Sequence, residues 1–368
     1  MITGAAALGW RLARHALDPV ADGDAADVVR RVVAVRGWPA ETADLAVRVR
    51  QAEPRPGGLE HALATGDLIR SCAFRGGSYV FTLEDAASLL AARTATRVWE
   101  TARYQQQGQF VVDDWERLRE AVRDALAAGP TTRAELGAHL AGIPALRHLA
   151  DAASRGTGSD ALLKPLHWWG VLCFGPTRDG QSTFRLLEGD PGWPGPLDVD
   201  DAGRRACLRY LEAYGPATTS HLAYWLSDGL SVPRRRLDGW LADLGAAVTT
   251  VDVDGAAMLA RAADVDELSA AEPSDSVVLL PAFDPWLLGP GTADPRIVGA
   301  ARRSLVSNGA RTVVWRGAVA GTWRRGRGEV AVSWFAEAGS APVARLEAQV
   351  ERLAALLGEE SRLTLEVV

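Results

Sequence analysis

Apolar side chains recur at helical spacing ahead of a motif that occurs twice. Between Asp113 and Ala128, Trp115, Leu118, Val122 and Leu126 fall on one side of a predicted helix, and a second amphipathic helix is predicted over Asp198–Tyr214. Each runs into G-P-x-T-x-x-x-L-x-x-x-L, starting at Gly129 and again at Gly215. Gly ends the helix, Pro blocks its continuation and Thr caps the next one. After the later copy, "SVPRRRLDGWLADLG" predicts a further helix, and "AVTTVDVDGAAMLA" predicts two strands around a turn at Asp254-Gly255. The earlier copy continues into "SDALLKPLHWWGVLCFGPTRDGQSTFRLL", read as a helix and a hairpin turning at Asp179-Gly180. Residues 24 to 92 form a more divergent first copy, with helices near 24–36, 41–51 and 59–65 before "LIRSCAFRGGSYVFT", a hairpin turning at Gly76-Gly77.

Helices followed by a β-hairpin form the winged-helix order, in which the third helix enters the major groove and the hairpin touches the backbone. From about Ser276 the pattern changes. "SVVLLPAF", "TVVWRGAVAGTWRRG", "EVAVSWF" and "RLTLEVV" read as short strands, interrupted by a helix near 341–357. The expected fold class is therefore α+β: three tandem winged-helix modules and a C-terminal β-rich, small barrel-like domain. The boundaries fall at 1–105 (including an N-terminal arm), 106–192, 193–272 and 273–368.

Composition narrows the function classes. Of 368 residues, 48% are apolar and 23% charged, as in globular proteins. No apolar run is long enough for a membrane span, and the order of charge at the N-terminus is wrong for a signal peptide. The expectation is a cytoplasmic monomer with no membrane partner. Cys72, Cys173 and Cys207 are far apart, and the six histidines are scattered without H-E-x-x-H, so neither a disulfide framework nor a metal site is expected. There is no G-x-S-x-G, no Walker loop and no dinucleotide fingerprint, and no cofactor is expected. The net charge of −6 argues against nucleic acid only weakly, because phosphate binding depends on local charge.

Local charge points the other way. Arg324, Arg325 and Arg327 lie in "RRGRG" between two predicted strands, and Arg234-Arg235-Arg236 stand early on the third helix of the last repeat. Arg75 sits at the Gly76-Gly77 turn. All suit phosphate contact. In "LLPAFDPWLLG", Asp284 can anchor a turn or act as an acid or base, the turn being the stronger reading. Trp168-Trp169 are read as core, and His167 and His221 are assigned no catalysis.

Three stretches resemble the tandem winged-helix family that includes the AlkZ-type DNA glycosylases, which excise alkylated or crosslinked bases. They are "LLPAFDPWLLG…RRSLV…VVWRGAVAGTWRRGRGEVAV", "LIRSCAFRGGSYVFTLEDAASLL" and "AVRGWPAETADLAVRVR". The resemblance implies a catalytic pair of glutamines flanking an apolar residue. Aligned without gaps, those positions hold Arg36, Gly37 and Trp38, so the chain reads as a divergent member lacking the motif. The family's histidine corresponds to Tyr79, and a shift of three residues would place Glu41 on the motif.

The corner at 36–38 therefore has three readings: a capped bend with Trp38 in the core and Arg36 solvated, a wedge of aromatic and cation that probes nucleobases, and an active site of unfamiliar design. The expected function is double-stranded DNA binding, on DNA that is damaged or ordinary, with Arg36, Trp38, Arg75, Arg234, Arg235, Arg324, Arg325 and Arg327 at the interface and with glycosylase catalysis altered or lost. The alternatives are an active glycosylase on N-alkylated purines, with Glu41 or Tyr79 taking part, and a self-resistance protein that sequesters a DNA-reactive small molecule.

Overall fold

Val33 ends the first predicted helix early. Its φ of +68° lies outside helical space, so the helix Ala25–Val32 stops there. A short strand, β1 (Val35–Arg36), follows where the helix had been expected to continue. Helices Ala40–Arg48 and Gly58–Thr65 come next, and then β2 (Leu68–Cys72) and β3 (Ser78–Thr82).

The same order appears again further on. The helix Asp114–Leu126 leads to β4 (Thr131–Thr132) and the helix Arg133–Ala141. After the helix Lys164–Trp168 come β5 (Leu172–Phe174) and β6 (Thr183–Leu186). In the third pass, the helix Val199–Tyr214 precedes an extended Ala217, the helices Thr219–Ala223 and Arg234–Asp243, and the hairpin β7 (Val248–Val253) and β8 (Ala256–Arg261). The repeated motif explains the likeness. Its third residue is the strand residue: Thr131 pairs with Phe184, while Ala217 exchanges backbone hydrogen bonds with Leu259. Its fourth residue, Thr132 or Thr218, is the N-cap of the next helix.

The computed structural model describes residues 1–155, 160–326 and 328–368. They form two units, each described by itself. One comprises residues 61–206 and 226–240, the other residues 1–60, 207–225 and 241–368. In the first, strands run in the order β3-β2-β5-β6-β4, with β2 joined to β5 through Arg70 and Phe174. Trp168 is fully buried beside Trp99 and Tyr104, and Arg93 lies 4.0 Å from its ring. Trp169 packs edge-on against Trp115, with Arg119 over its face. Trp168 is core, as its sequence suggested, whereas Trp169 is only partly buried at the edge of the cluster. His167 accepts or donates one bond, with Ser71 at 3.0 Å, and burial lowers its pKa to about 3. It is neutral at physiological pH.

The second unit holds the C-terminal strands: β9 (Val277–Leu280), β10 (Thr312–Trp315), β11 (Ala318–Gly326), β12 (Glu329–Trp334) and β13 (Arg362–Val367). Their order is β13-β12-β11-β10-β9, antiparallel except for β12 with β13. The barrel-like expectation resolves as a five-stranded sheet in which the first and last strands are not neighbours. The helix Val343–Leu357 covers one face through Leu346, Val350, Leu353 and Leu356, which join Val330, Val332 and Trp334 in the core. Two indole N–H groups there find acceptors: Trp323 donates to Leu280 O and Trp334 to Gly339 O. Among the described residues, no helix is long and apolar enough to cross a membrane.

Candidate nucleic-acid interface

The corner between β1 and the helix Ala40–Arg48 is built on buried backbone. Val32 to Val35 are all buried, and the Tyr214 hydroxyl donates to Val32 O at 2.7 Å. Tyr214 in turn meets His15 edge to face, as does Trp286. Burial, followed by the Arg50 and Arg11 cations, holds His15 well below the ordinary histidine range. It is therefore a neutral packing residue, bonded to Ala213 O at 3.0 Å.

From this floor the chain turns outward, and the exposures invert one expectation. Trp38 is 67% exposed, while Arg36 is half-buried. The reading with Trp38 in the core and Arg36 solvated is thus overturned. Arg36 is held from two sides: its Nε donates to Trp38 O at 3.2 Å, and its guanidinium lies 4.2 Å from the centre of the Phe283 ring. A cation over an aromatic face contributes roughly 0.5–2 kcal/mol. Trp38 is the only aromatic side chain among the large apolar ones that stand exposed in the described residues.

Phe283 is itself held in place. It adopts φ +57°, uncommon for a bulky residue, and its ring tip approaches Gly309 so closely that a Cβ there would lie 2.4 Å from Cζ. The next residue fixes the turn. Asp284 is fully buried, accepts two bonds from Arg50 at 2.9 and 2.6 Å, and caps Trp286 N at 2.8 Å. Of the two readings of Asp284, turn anchor and acid or base, the geometry fits the anchor. That Phe283 reaches Arg36 does not follow from the sequence pattern of this segment. The signal available was an aromatic immediately before an N-cap Asp.

The other named residues are distributed unevenly. Glu41 is exposed in the first turn of the helix Ala40–Arg48 and has no ion pair among the described residues. Tyr79 is only 6% exposed and packs against Phe74 and Phe81. Arg75 is exposed at the β2–β3 turn with φ +49°. On the helix Arg234–Asp243, Arg234 is 3.4 Å from Asp228 and Arg236 bonds Asp200, whereas Arg235 is exposed and has no ion pair among the described residues.

Arg324 and Arg325 do not form a single patch. Strand alternation sends Arg324 and Arg325 to opposite faces of β11. Arg325 pairs with Glu359, and a cleft at the hairpin tip of about 700 Å³ is lined by Arg311, Arg325, Glu359 and Glu360 with two glycines. Arg324 is exposed and has no ion pair among the described residues. Arg327 lies outside the described residues. No group of three or more metal-binding side chains occurs among the described residues, and Cys72, Cys173 and Cys207 are buried thiols pushed up to about 12 by burial.

Comparison with known proteins adds the context this geometry lacks. A family model described as DNA glycosylase AlkZ-like matches residues 29–356. The interstrand DNA cross-link repair glycosylase of Streptomyces sahachiroi is 32% identical over 365 residues, covering 98% of this chain and 97% of that protein. The solved structure of Streptomyces sahachiroi DNA glycosylase AlkZ matches with a TM-score of 0.92 at 31% identity, over 100% of this chain and 99% of that one.

Proposed function

The chain belongs to the AlkZ-like DNA glycosylase family, and from that premise we propose that it binds double-stranded DNA at damaged sites while the excision step is altered or lost. One observation carries the reading: Trp38 projects into solvent beside a cation, Arg36, that the Phe283 ring and the Trp38 carbonyl hold in place. An exposed indole offers a flat surface on which an unstacked base can rest, and such stacking contributes about 1–3 kcal/mol per base. The adjacent guanidinium suits the phosphates around an opened base step.

The same pair is unsuited to glycosidic bond cleavage. The sugar gains positive charge as the bond breaks, and catalysis needs groups that stabilise that charge. Arg36 opposes it, and the Trp38 indole has one donor and no acceptor with which to hold a water. Arg235 and Arg324, exposed and without ion pairs among the described residues, and Arg75 would add phosphate contacts. They would make the affinity strongly dependent on salt.

Trp38→Ala tests the reading. It should weaken binding to a duplex with a bulky or cross-linked lesion by about tenfold or more, with little change for intact duplex, as measured by fluorescence anisotropy. Equal affinities of wild type and variant for the lesion duplex would remove Trp38 from the interface. A second reading, excision carried by Glu41, is favoured by one observation: this carboxylate is exposed three residues beyond Trp38 and has no ion pair among the described residues. It requires a strand break at the lesion that Glu41→Gln abolishes.

A further inference from the structure

The C-terminal sheet has an open edge at β13. β13 lies at the end of its sheet and pairs with β12 alone, in parallel and without a bulge from Arg362 to Val367. Arg362 N donates to Gly328 O, and Val368 N donates to Trp334 O. Peptide groups alternate in direction along a strand, so those of Leu363, Leu365 and Val367 face away from β12. Leu365, Val367 and Val368 are also exposed, at 37%, 64% and 46%. Soluble proteins blunt such edges with Pro, bulges or charged side chains; "RLTLEVV" has no Pro and no bulge, and its two charged residues, Arg362 and Glu366, are of opposite sign.

We propose that a second copy of this chain docks on β13, antiparallel, across a two-fold axis through Thr364. This departs from the monomer expected from sequence. Charge complementarity selects the partner and the register. With the axis at Thr364, Arg362 stands opposite Glu366 of the second copy, and Leu363 opposite Leu365, each contact occurring twice as two-fold symmetry requires. The outward-facing peptide groups make Leu363 and Leu365 the hydrogen-bonded pair. Arg362 and Glu366 then form the non-hydrogen-bonded pair, in which cross-strand side chains come closest. Moving the axis to Leu365 would place Arg362 opposite Val368 and forfeit both ion pairs. Side chains on the other face follow suit: Leu363, partly buried against the sheet core, would continue that apolar surface to Leu365 and Val367.

The test is the mass of the full chain in solution, by sedimentation or light scattering. Wild type should be a dimer. Glu366→Arg and Arg362→Glu should each weaken self-association on the order of tenfold or more, because like charges then face each other twice. Mixing the two variants should restore the dimer, since every Arg then meets a Glu. Recovery on mixing also separates a lost interface from a misfolded chain. A monomeric wild type at the highest concentration it tolerates, a dimer indifferent to Glu366→Arg, or folded variants that stay apart when mixed would each overturn the proposal.

Discussion

Arg36→Gln/Trp38→Gln is expected to raise the release of N7-alkylated purines from duplex DNA by roughly 10²-fold over wild type. The estimate follows from charge. A unit cation about 5 Å from a developing positive charge, at an effective dielectric of about 20, opposes it by about 3 kcal/mol. About 1.4 kcal/mol in the barrier is a factor of ten in rate. Glutamine at both positions removes that opposition and supplies amide groups that can donate to and accept from a water. The scaffold should tolerate the exchange, because Trp38 is exposed and Arg36, among the described residues, is held by a neighbouring carbonyl and a ring. Single-turnover cleavage after abasic-site scission reads the result. Each single change should do less than the pair: Arg36→Gln alone leaves no second amide, and Trp38→Gln alone leaves the cation. A double variant no more active than wild type, yet folded and DNA-binding, would show that the 36–38 corner does not limit excision.

The second large effect concerns stability. Arg50→Met should destabilise the chain by about 3–5 kcal/mol, because it strands Asp284 as a buried charge without a partner. Asp284→Ala should be comparably damaging, since it strands Arg50 and removes the cap on Trp286 N. Replacing both residues together should cost less than the two single effects summed, as expected for a coupled pair. Denaturant unfolding followed by tryptophan fluorescence measures all three. The pair also fixes the turn that presents Phe283, so partial loosening should release Arg36 from beneath the ring and lower affinity for DNA before global unfolding. A single substitution costing less than about 1 kcal/mol would show that the turn is held by other contacts.

Much of this architecture was legible because it is local. Gly129-Pro130 and Gly215-Pro216 mark helix ends, and Thr132 and Thr218 cap the helices that follow, so periodicity and capping chemistry were enough to register the repeat. The tail strands were equally clear from their alternation. The corner was different. The sequence marks the 36–38 segment but leaves three readings open there, and only the capped bend inverts the exposures, because the ring that shelters Arg36 comes from a distant segment of the chain. The Arg50–Asp284 pair spans 234 residues and has no local signature. The pairing of Arg325 is hidden for a related reason: adjacent arginines on a strand face opposite ways, and Glu359, which pairs with Arg325, follows a long helix. Local pattern reports spacing, whereas sheltering and neutralisation depend on partners distant in sequence.

The central proposal is that this member of the family holds damaged duplex DNA with its excision step altered or lost, so that N7-alkylated purines are bound and not released. One labelled duplex containing an N7-alkylated purine, incubated with wild-type protein and divided between a native gel and hot-alkali cleavage, tests it most directly. The expected result is a shifted band whose intensity falls steeply with salt, and no strand break at the lesion above the protein-free control. Strand breaks that accumulate with time at that position would contradict the account.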